Sequence, residues 1–191
     1  MKESENRKEV EINPITPEEI KINGVEVISH YHFNDSRGCL TVSYDDDREV
    51  YPSVYSYVST TKPGMARDED QYHFHKRQID RFTVVSGKMY ILLFDRREKS
   101  STFGQLQVVK VEGGNLDTDE KINTPAHTIT IPEGVYHGVK AIGDVPAVLT
   151  NNPTQGYDSE DEGRIDFKDI PAASLNGGIF SWDLVKDNII K

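Results

Sequence analysis

Apolar and polar positions alternate along most of the chain, and the alternation predicts strands. Residues two apart in a strand share a face. Gly24–His32 (GVEVISHYH) alternates and predicts one strand. Asn34, Asp35, Ser36 and Gly38 then mark a turn, and Cys39–Tyr44 resumes a strand. Val50–Thr60 predicts a strand carrying Tyr51, Tyr55 and Tyr57 on one face. Arg81–Ser86 is β-branched and aromatic, and Ser86-Gly87-Lys88 reads as a tight turn into apolar Met89–Phe94, so the pair predicts a β-hairpin. Gln105–Val111, His127–Ile131, Val135–Ile142 and Ala147–Thr150 add further strands. Polar stretches at Arg67–Gln71, Asp95–Phe103, Glu112–Thr124 and Asn151–Gly163 read as connections. Helical signals are confined to the ends. Thr16-Pro17-Glu18-Glu19 has a cap, a first-turn Pro and acids, and Ser181–Ile190 predicts one helix capped by Ser181. About ten short strands with regular turns imply an all-β sandwich or barrel. No repeat or linker divides the chain, so the expected organisation is an N-terminal arm over 1–20 and one domain over 21–191.

Composition narrows the function. The chain has 191 residues, 36% of them hydrophobic, enough for a folded core. A net charge of −10 argues against nucleic-acid binding, which depends on neutralising phosphates. No apolar run has the length of a membrane span, and the first dozen residues lack a signal-peptide core, so a cytoplasmic protein without a membrane partner is expected. The single cysteine, Cys39, allows no intramolecular disulfide and no cysteine-cluster zinc site. The acidic run Asp45–Glu49 lacks the spacing of a calcium loop and reads as solvated.

The chemistry concentrates in Tyr72–Gly87, which reads His73-x-His75-x4-Asp80-x6-Gly87. On a strand the two imidazoles project side by side. Ile131–Gly138 (IPEGVYHG) supplies a third, His137. His73, His75, Asp80 and His137 make a three-nitrogen, one-oxygen set that suits Fe, Mn, Ni or Zn. The alternative is a polar cavity whose groups satisfy one another and water.

These two stretches resemble the paired signatures of the cupin superfamily. The first is matched at His73, His75 and Gly87, with Asp80 where a Glu is usual. The second is matched at Pro132, Gly134 and His137. The resemblance implies a double-stranded β-helix, the cupin jelly-roll barrel, with short terminal helices and inward-facing histidines.

From about residue 33 to 171 the chain also resembles the dTDP-4-dehydrorhamnose 3,5-epimerase family of cupins. The carriers are Phe33-x-Asp35-x-Arg37-Gly38, Lys62-x-Gly64-Met65-x-Arg67, Asp95–Gly104, Ile131–Gly138, and Tyr157 with Asp169. The resemblance implies proton transfer on a nucleotide-activated 4-keto-6-deoxy sugar, with no cofactor, in a homodimer. It gives His73, His75, His137 and Asp169 catalytic roles, with Asp169 as the carboxylate partner of the base. It gives Arg37, Arg67 and Tyr157 substrate contacts. Lys76 and Arg77, which follow the histidines and alternate in direction, offer one inward cation in place of the family's lysine, and Arg81 reads as surface charge. Three departures stand out. The family's catalytic tyrosine falls at Thr150, its lysine falls at Asp80, and either His73 or His75 can be the base. Tyr136 and Tyr157 are then candidate proton donors. Three readings follow: a sugar-nucleotide epimerase, a metal cupin with a dioxygenase or small-molecule isomerase reaction, and a noncatalytic ligand-binding cupin.

Overall fold

The computed structural model describes residues 10–114 and 126–186. Among these, the strands are β1 (Glu26–His30), β2 (His32–Asp35), β3 (Gly38–Thr41), β4 (Tyr57–Thr61), β5 (Gln71–His75), β6 (Asp80–Ser86), β7 (Lys88–Asp95), β8 (Leu106–Glu112), β9 (Ala126–Ile131), β10 (Val135–Ile142), β11 (Ala147–Asn151) and β12 (Glu162–Asp166). One sheet runs β1-β9-β6-β11-β4, the other runs β12-β5-β10-β7-β8, and β2 and β3 form a separate hairpin. Every strand pair in these sheets is antiparallel. The result is a two-sheet jelly roll.

The sequence of β7 explains why it lies inside its sheet. Met89, Ile91 and Leu93 face the core between the sheets, packed with Phe82, Val84, Ile129 and Leu149. Tyr90, Leu92 and Phe94 face the other way, under Phe167, Phe180 and Trp182 from the C-terminal segment. Both faces are covered, so the strand reads as a continuous apolar run rather than an alternation.

The predicted hairpin over 81–94 is not formed. β6 lies in one sheet and β7 in the other, so Gly87 carries the chain across the sandwich. Gly87 has φ 72, and a Cβ there would sit 2.6 Å from the Pro146 carbonyl oxygen. The glycine is needed for both reasons. The strand expected over 50–60 begins only at Tyr57, because the backbone at Tyr51 and Pro153 is bonded outside any ladder. Tyr51 O accepts from Arg81, and Val54 N donates to Pro153 O. The connection read over Asn151–Gly163 gives way at Glu162 to β12, which pairs with β5 as an edge strand. The helix expected over 181–190 is a 3-10 turn at Trp182–Leu184, with Ser181 Oγ accepting from Asp183 N. Its last residues, 187–190, lie outside the described ones, as do the start of the expected arm and most of the 112–124 connection. Pro17–Glu19 forms one 3-10 turn with a capping box at Thr16 and Glu19. No helix among the described residues is long and apolar enough to cross a membrane.

Candidate active site

Two facing walls make a cavity of about 370 Å³. β5 supplies His73 and His75, β10 supplies His137, and β12 supplies Arg164, all from one sheet. The opposite sheet supplies Phe82 from β6, Leu149 from β11, and Tyr57 and Ser59 from β4. His73 is the cross-strand partner of both His137 and Arg164, so three functional side chains line up across the wall. A hollow of about 420 Å³ on the outer side of the histidine-bearing sheet is lined by Lys140, Phe167 and Trp182. It holds none of the convergent imidazoles, so the chemistry belongs to the smaller cavity.

Asp80 reaches this cluster from β6, and its carboxylate is the hub. Oδ2 lies 3.4 Å from His75 Nε2 and 3.2 Å from His137 Nε2. Oδ1 accepts from Gln78 Nε2 at 2.7 Å and from Asn151 Nδ2 at 2.7 Å. Gln78 Nε2 is also 3.1 Å from His75 Nε2, and His73 Nε2 is 3.0 Å from the same atom. On its other side, His75 Nδ1 is 3.1 Å from Asp161 Oδ2. A carboxylate can only accept, so Nδ1 carries the hydrogen and the lone pair of neutral His75 sits on Nε2, toward the cavity. Asp161 is itself held by Arg77 Nε at 3.2 Å and by Gln78 N at 3.2 Å.

This arrangement separates the histidines electrostatically. Burial opposes charge on His75, but the Asp80 and Asp161 carboxylates on its two sides outweigh it, and its pKa is raised. Burial, reinforced by His137 and His75, pushes His73 down to about 3. His73 is therefore neutral at physiological pH. Burial would raise Asp80, but the His137 and His75 imidazoles against its carboxylate outweigh burial, so its pKa is lowered and it stays ionised. Burial also opposes charge on Asp161, and Arg77, the Gln78 amide and His75 hold it below the ordinary carboxylate value.

The structure brings His73, His75, Asp80 and His137 together. Arg67 and Tyr157 stand at the mouth, and Tyr157 is 73% exposed. The remaining expected residues lie elsewhere. Asp169 is exposed on the Phe167–Asp169 turn, and Asp161 stands at the imidazole in its place. Lys76 points outward, its ammonium on the Glu160 carbonyl at 2.8 Å. Alternation of direction does not apply beyond β5, because the strand ends at His75 and both Lys76 and Arg77 turn to the 158–161 segment. Arg37 is at the tip of the β2–β3 hairpin, paired with Asp35. Arg81, expected on the surface, has 0% exposure and pairs with Glu49. Tyr136 is stacked on Phe74 with ring centres 4.3 Å apart. Thr150 Oγ1 is 3.4 Å from the Thr83 carbonyl oxygen, and Thr150 is not among the cavity's lining residues. Asp161, Asn151 and Tyr57 were missed. Asp161 sits in an acidic run with no local mark to distinguish it, whereas Asn151 and Tyr57 become partners only through the β4–β11 register.

The sequence model of the dTDP-4-dehydrorhamnose 3,5-epimerase family matches residues 19–176. The chain belongs to that family. It is an epimerase-type cupin that acts on nucleotide-activated sugars. The chain is 36% identical over 144 residues to the probable low-salt glycan biosynthesis epimerase Agl13 of Haloferax volcanii, covering 73% of this chain and 83% of that one. The epimerase-family fold is also seen in a dTDP sugar isomerase from Desulfovibrio desulfuricans, with TM-score 0.66, 23% identity and coverage of 85% of this chain and 92% of that one. A dTDP-6-deoxy-D-glucose-3,5-epimerase from Legionella pneumophila, solved with dTDP-4-keto-L-rhamnose, has TM-score 0.64 and 22% identity, covering 94% and 87% of the two chains.

The donor set also fits a divalent cation. One ligand nitrogen from each of His73, His75 and His137 lies within 4.8 Å of the other two. His137 Nδ1 is 3.0 Å from the Val135 carbonyl and takes the hydrogen of a neutral ring. Its Nε2 then directs a lone pair toward the Asp80 carboxylate and has no hydrogen-bond partner among the described residues.

Proposed function

We propose that this chain epimerises a 4-keto-6-deoxy sugar carried on a nucleoside diphosphate, with His75 as the base. The observation that carries this reading is the fixed tautomer of His75, whose Nδ1 is pinned by Asp161, which leaves the lone pair on Nε2 within the imidazole cluster that lines the cavity. A proton on the carbon next to a ketone is acidic enough for an imidazole base, and the electrons move onto the carbonyl oxygen as an enolate. Return of a proton to the other face inverts the carbon. The transfer is of protons alone, so the reaction needs no cofactor. Arg67 and Arg164 line the cavity and suit a diphosphate through their forked donors. Solvent deuterium entering the sugar of a dTDP-4-keto-6-deoxyhexose tests the reading. Absence of any exchange at micromolar enzyme would end it.

A second reading is favoured by the His137 lone pair that faces a carboxylate. His73, His75, His137 and Asp80 would hold a divalent metal, which when bound supplies Lewis-acid polarisation of a carbonyl oxygen. The expected result on that reading is near-stoichiometric Fe, Mn, Ni or Zn in untagged protein purified without chelator, lost in His137→Ala. Mass spectrometry that finds no metal after reconstitution with each of the four would remove it.

Two copies of the chain are proposed to form the working unit. Tyr31 and Phe33 stack on one another, Leu40 pairs with Phe33 across the β2–β3 hairpin, and all three are exposed, as is Val58 on edge strand β4. Arg37 stands outside its own chain's cavity, so a role in holding substrate requires a second copy. Sedimentation showing only monomer at micromolar concentration would rule this out.

A further inference from the structure

The family's tyrosine position is taken by Thr150, whose hydroxyl lies on the Thr83 carbonyl. The proposed epimerisation therefore lacks a proton donor at the expected place. The walls of the cavity show another phenol that meets the need.

Tyr57 sits on β4 directly across from Asn151 on β11. The Asn151 side chain can adopt only one orientation. Its Oδ1 accepts from the Arg81 backbone N–H at 2.8 Å, so its amide nitrogen must point the other way. That nitrogen gives one hydrogen to Asp80 Oδ1 at 2.7 Å and the other to Tyr57 Oη at 3.1 Å. Tyr57 Oη is thus an acceptor in this bond, and its own hydrogen is directed elsewhere. No acceptor for it appears among the described residues, and the side chain lines the cavity with His73, His75 and His137. The phenol comes from one sheet and the imidazoles from the other. A sugar ring between the walls presents one face to each.

Resting on the epimerase reading, we propose that Tyr57 is the acid that returns the proton to the sugar carbon on the face opposite His75. The step balances. His75 Nε2 takes the proton from the carbon and becomes imidazolium, and the bonding pair becomes the enolate. Tyr57 O–H gives its proton to the same carbon from the other side as the ketone re-forms. The tyrosinate regains a proton from water and the imidazolium releases one, so nothing is consumed. Burial raises the pKa of Tyr57, which keeps the phenol protonated at neutral pH. The other tyrosines are placed less well. Tyr72 is buried under Phe94 and Phe167, Tyr136 is stacked on Phe74, and Tyr157 is at the open rim.

The test separates removal of the proton from its return. In D2O, wild-type enzyme should place deuterium on the sugar carbon with inversion. Tyr57→Phe should lose inversion by about 100-fold, the usual contribution of a positioned acid, yet still exchange the carbon's proton with retention through His75. Thr150→Val should invert at the wild-type rate. Tyr57→Phe that inverts normally would overturn the assignment. So would loss of inversion and exchange together in a variant that melts as wild type, because Tyr57 would then serve His75 rather than the carbon. Loss of inversion in Thr150→Val would also overturn it. If wild-type enzyme shows no exchange, the epimerase reading itself fails. Site-specific 3-fluorotyrosine at position 57 keeps the shape of the side chain. Its more acidic phenol should move the alkaline limb of inversion to lower pH and leave that of exchange in place, and an unmoved limb counts against the proposal.

Discussion

His75→Ala is expected to abolish both epimerisation and solvent exchange on a 4-keto-6-deoxy sugar nucleotide, a loss of about 1,000-fold or more for removing a positioned general base. The reason is geometric. His75 lines the cavity, and its Nδ1 is held by Asp161, which leaves the basic lone pair on Nε2. His73 cannot take its place, because burial and its histidine neighbours leave it without proton affinity in the working range. The pH profile provides an independent check. A base acts only when unprotonated, and the carboxylates beside His75 raise its pKa above the ordinary imidazole value. The acidic limb of kcat/KM should therefore lie above the ordinary imidazole range, with activity lost as pH falls through it. Asp161→Asn removes one of the groups that raise the pKa, so the limb should move toward acid while kcat falls through loss of the fixed tautomer. A limb that stays in place in that variant would detach Asp161 from the base. Retained exchange in His75→Ala would move the base to another residue.

Glu49→Leu is expected to destabilise the protein by about 3 kcal/mol, a large effect for one substitution. Arg81 is wholly buried in β6, with its Nε 3.2 Å from Glu49 Oε2. Its remaining donors go to the Asn152 carbonyl at 2.7 Å and the Tyr51 carbonyl at 2.5 Å. Burial raises the pKa of Glu49, and the guanidinium beside it opposes that rise only in part, so the pair is not a strong source of stability while intact. Removing the carboxylate alone leaves a cation in the interior without its counter-charge. The double variant Glu49→Leu/Arg81→Met should recover a good part of the loss, since no buried charge remains. Urea unfolding of the three proteins measures this. A loss below about 1 kcal/mol for Glu49→Leu would show that the backbone carbonyls alone are enough for the cation.

Legibility in the sequence followed the range of the interactions. The strand periods of β6, β7 and β10 are local patterns that point to an all-β sandwich or barrel, and the two histidine motifs carry the resemblance to cupins that implies a jelly roll with inward imidazoles. Gly87 shows where local pattern runs out. A glycine turn between two apolar strands looks the same whether the chain folds back within a sheet or steps to the facing one. The difference lies in partners such as Ile131 and Asn151, far along the chain. Asp161 was hidden for a related reason. Asp158, Glu160, Asp161 and Glu162 are alike as residues, and only Arg77, Gln78 and His75 single one out. Arg81 read as a surface charge because its counter-ion is thirty-odd positions upstream, in an acidic run that otherwise faces water.

The step of the chain at Gly87 also has an evolutionary consequence. Imidazole base and phenol ride on different sheets, so the gap between them is a dimension of the sandwich, set by side chains that no substrate touches. Ala141 and Ala147 are fully enclosed between the sheets. A larger residue at either would wedge the walls apart, and a smaller neighbour would let them settle. Lineages can thus drift toward thicker or thinner sugars by exchanging methyl groups deep in the interior while every catalytic side chain stays the same. Comparing active-site residues alone would then miss the change in substrate.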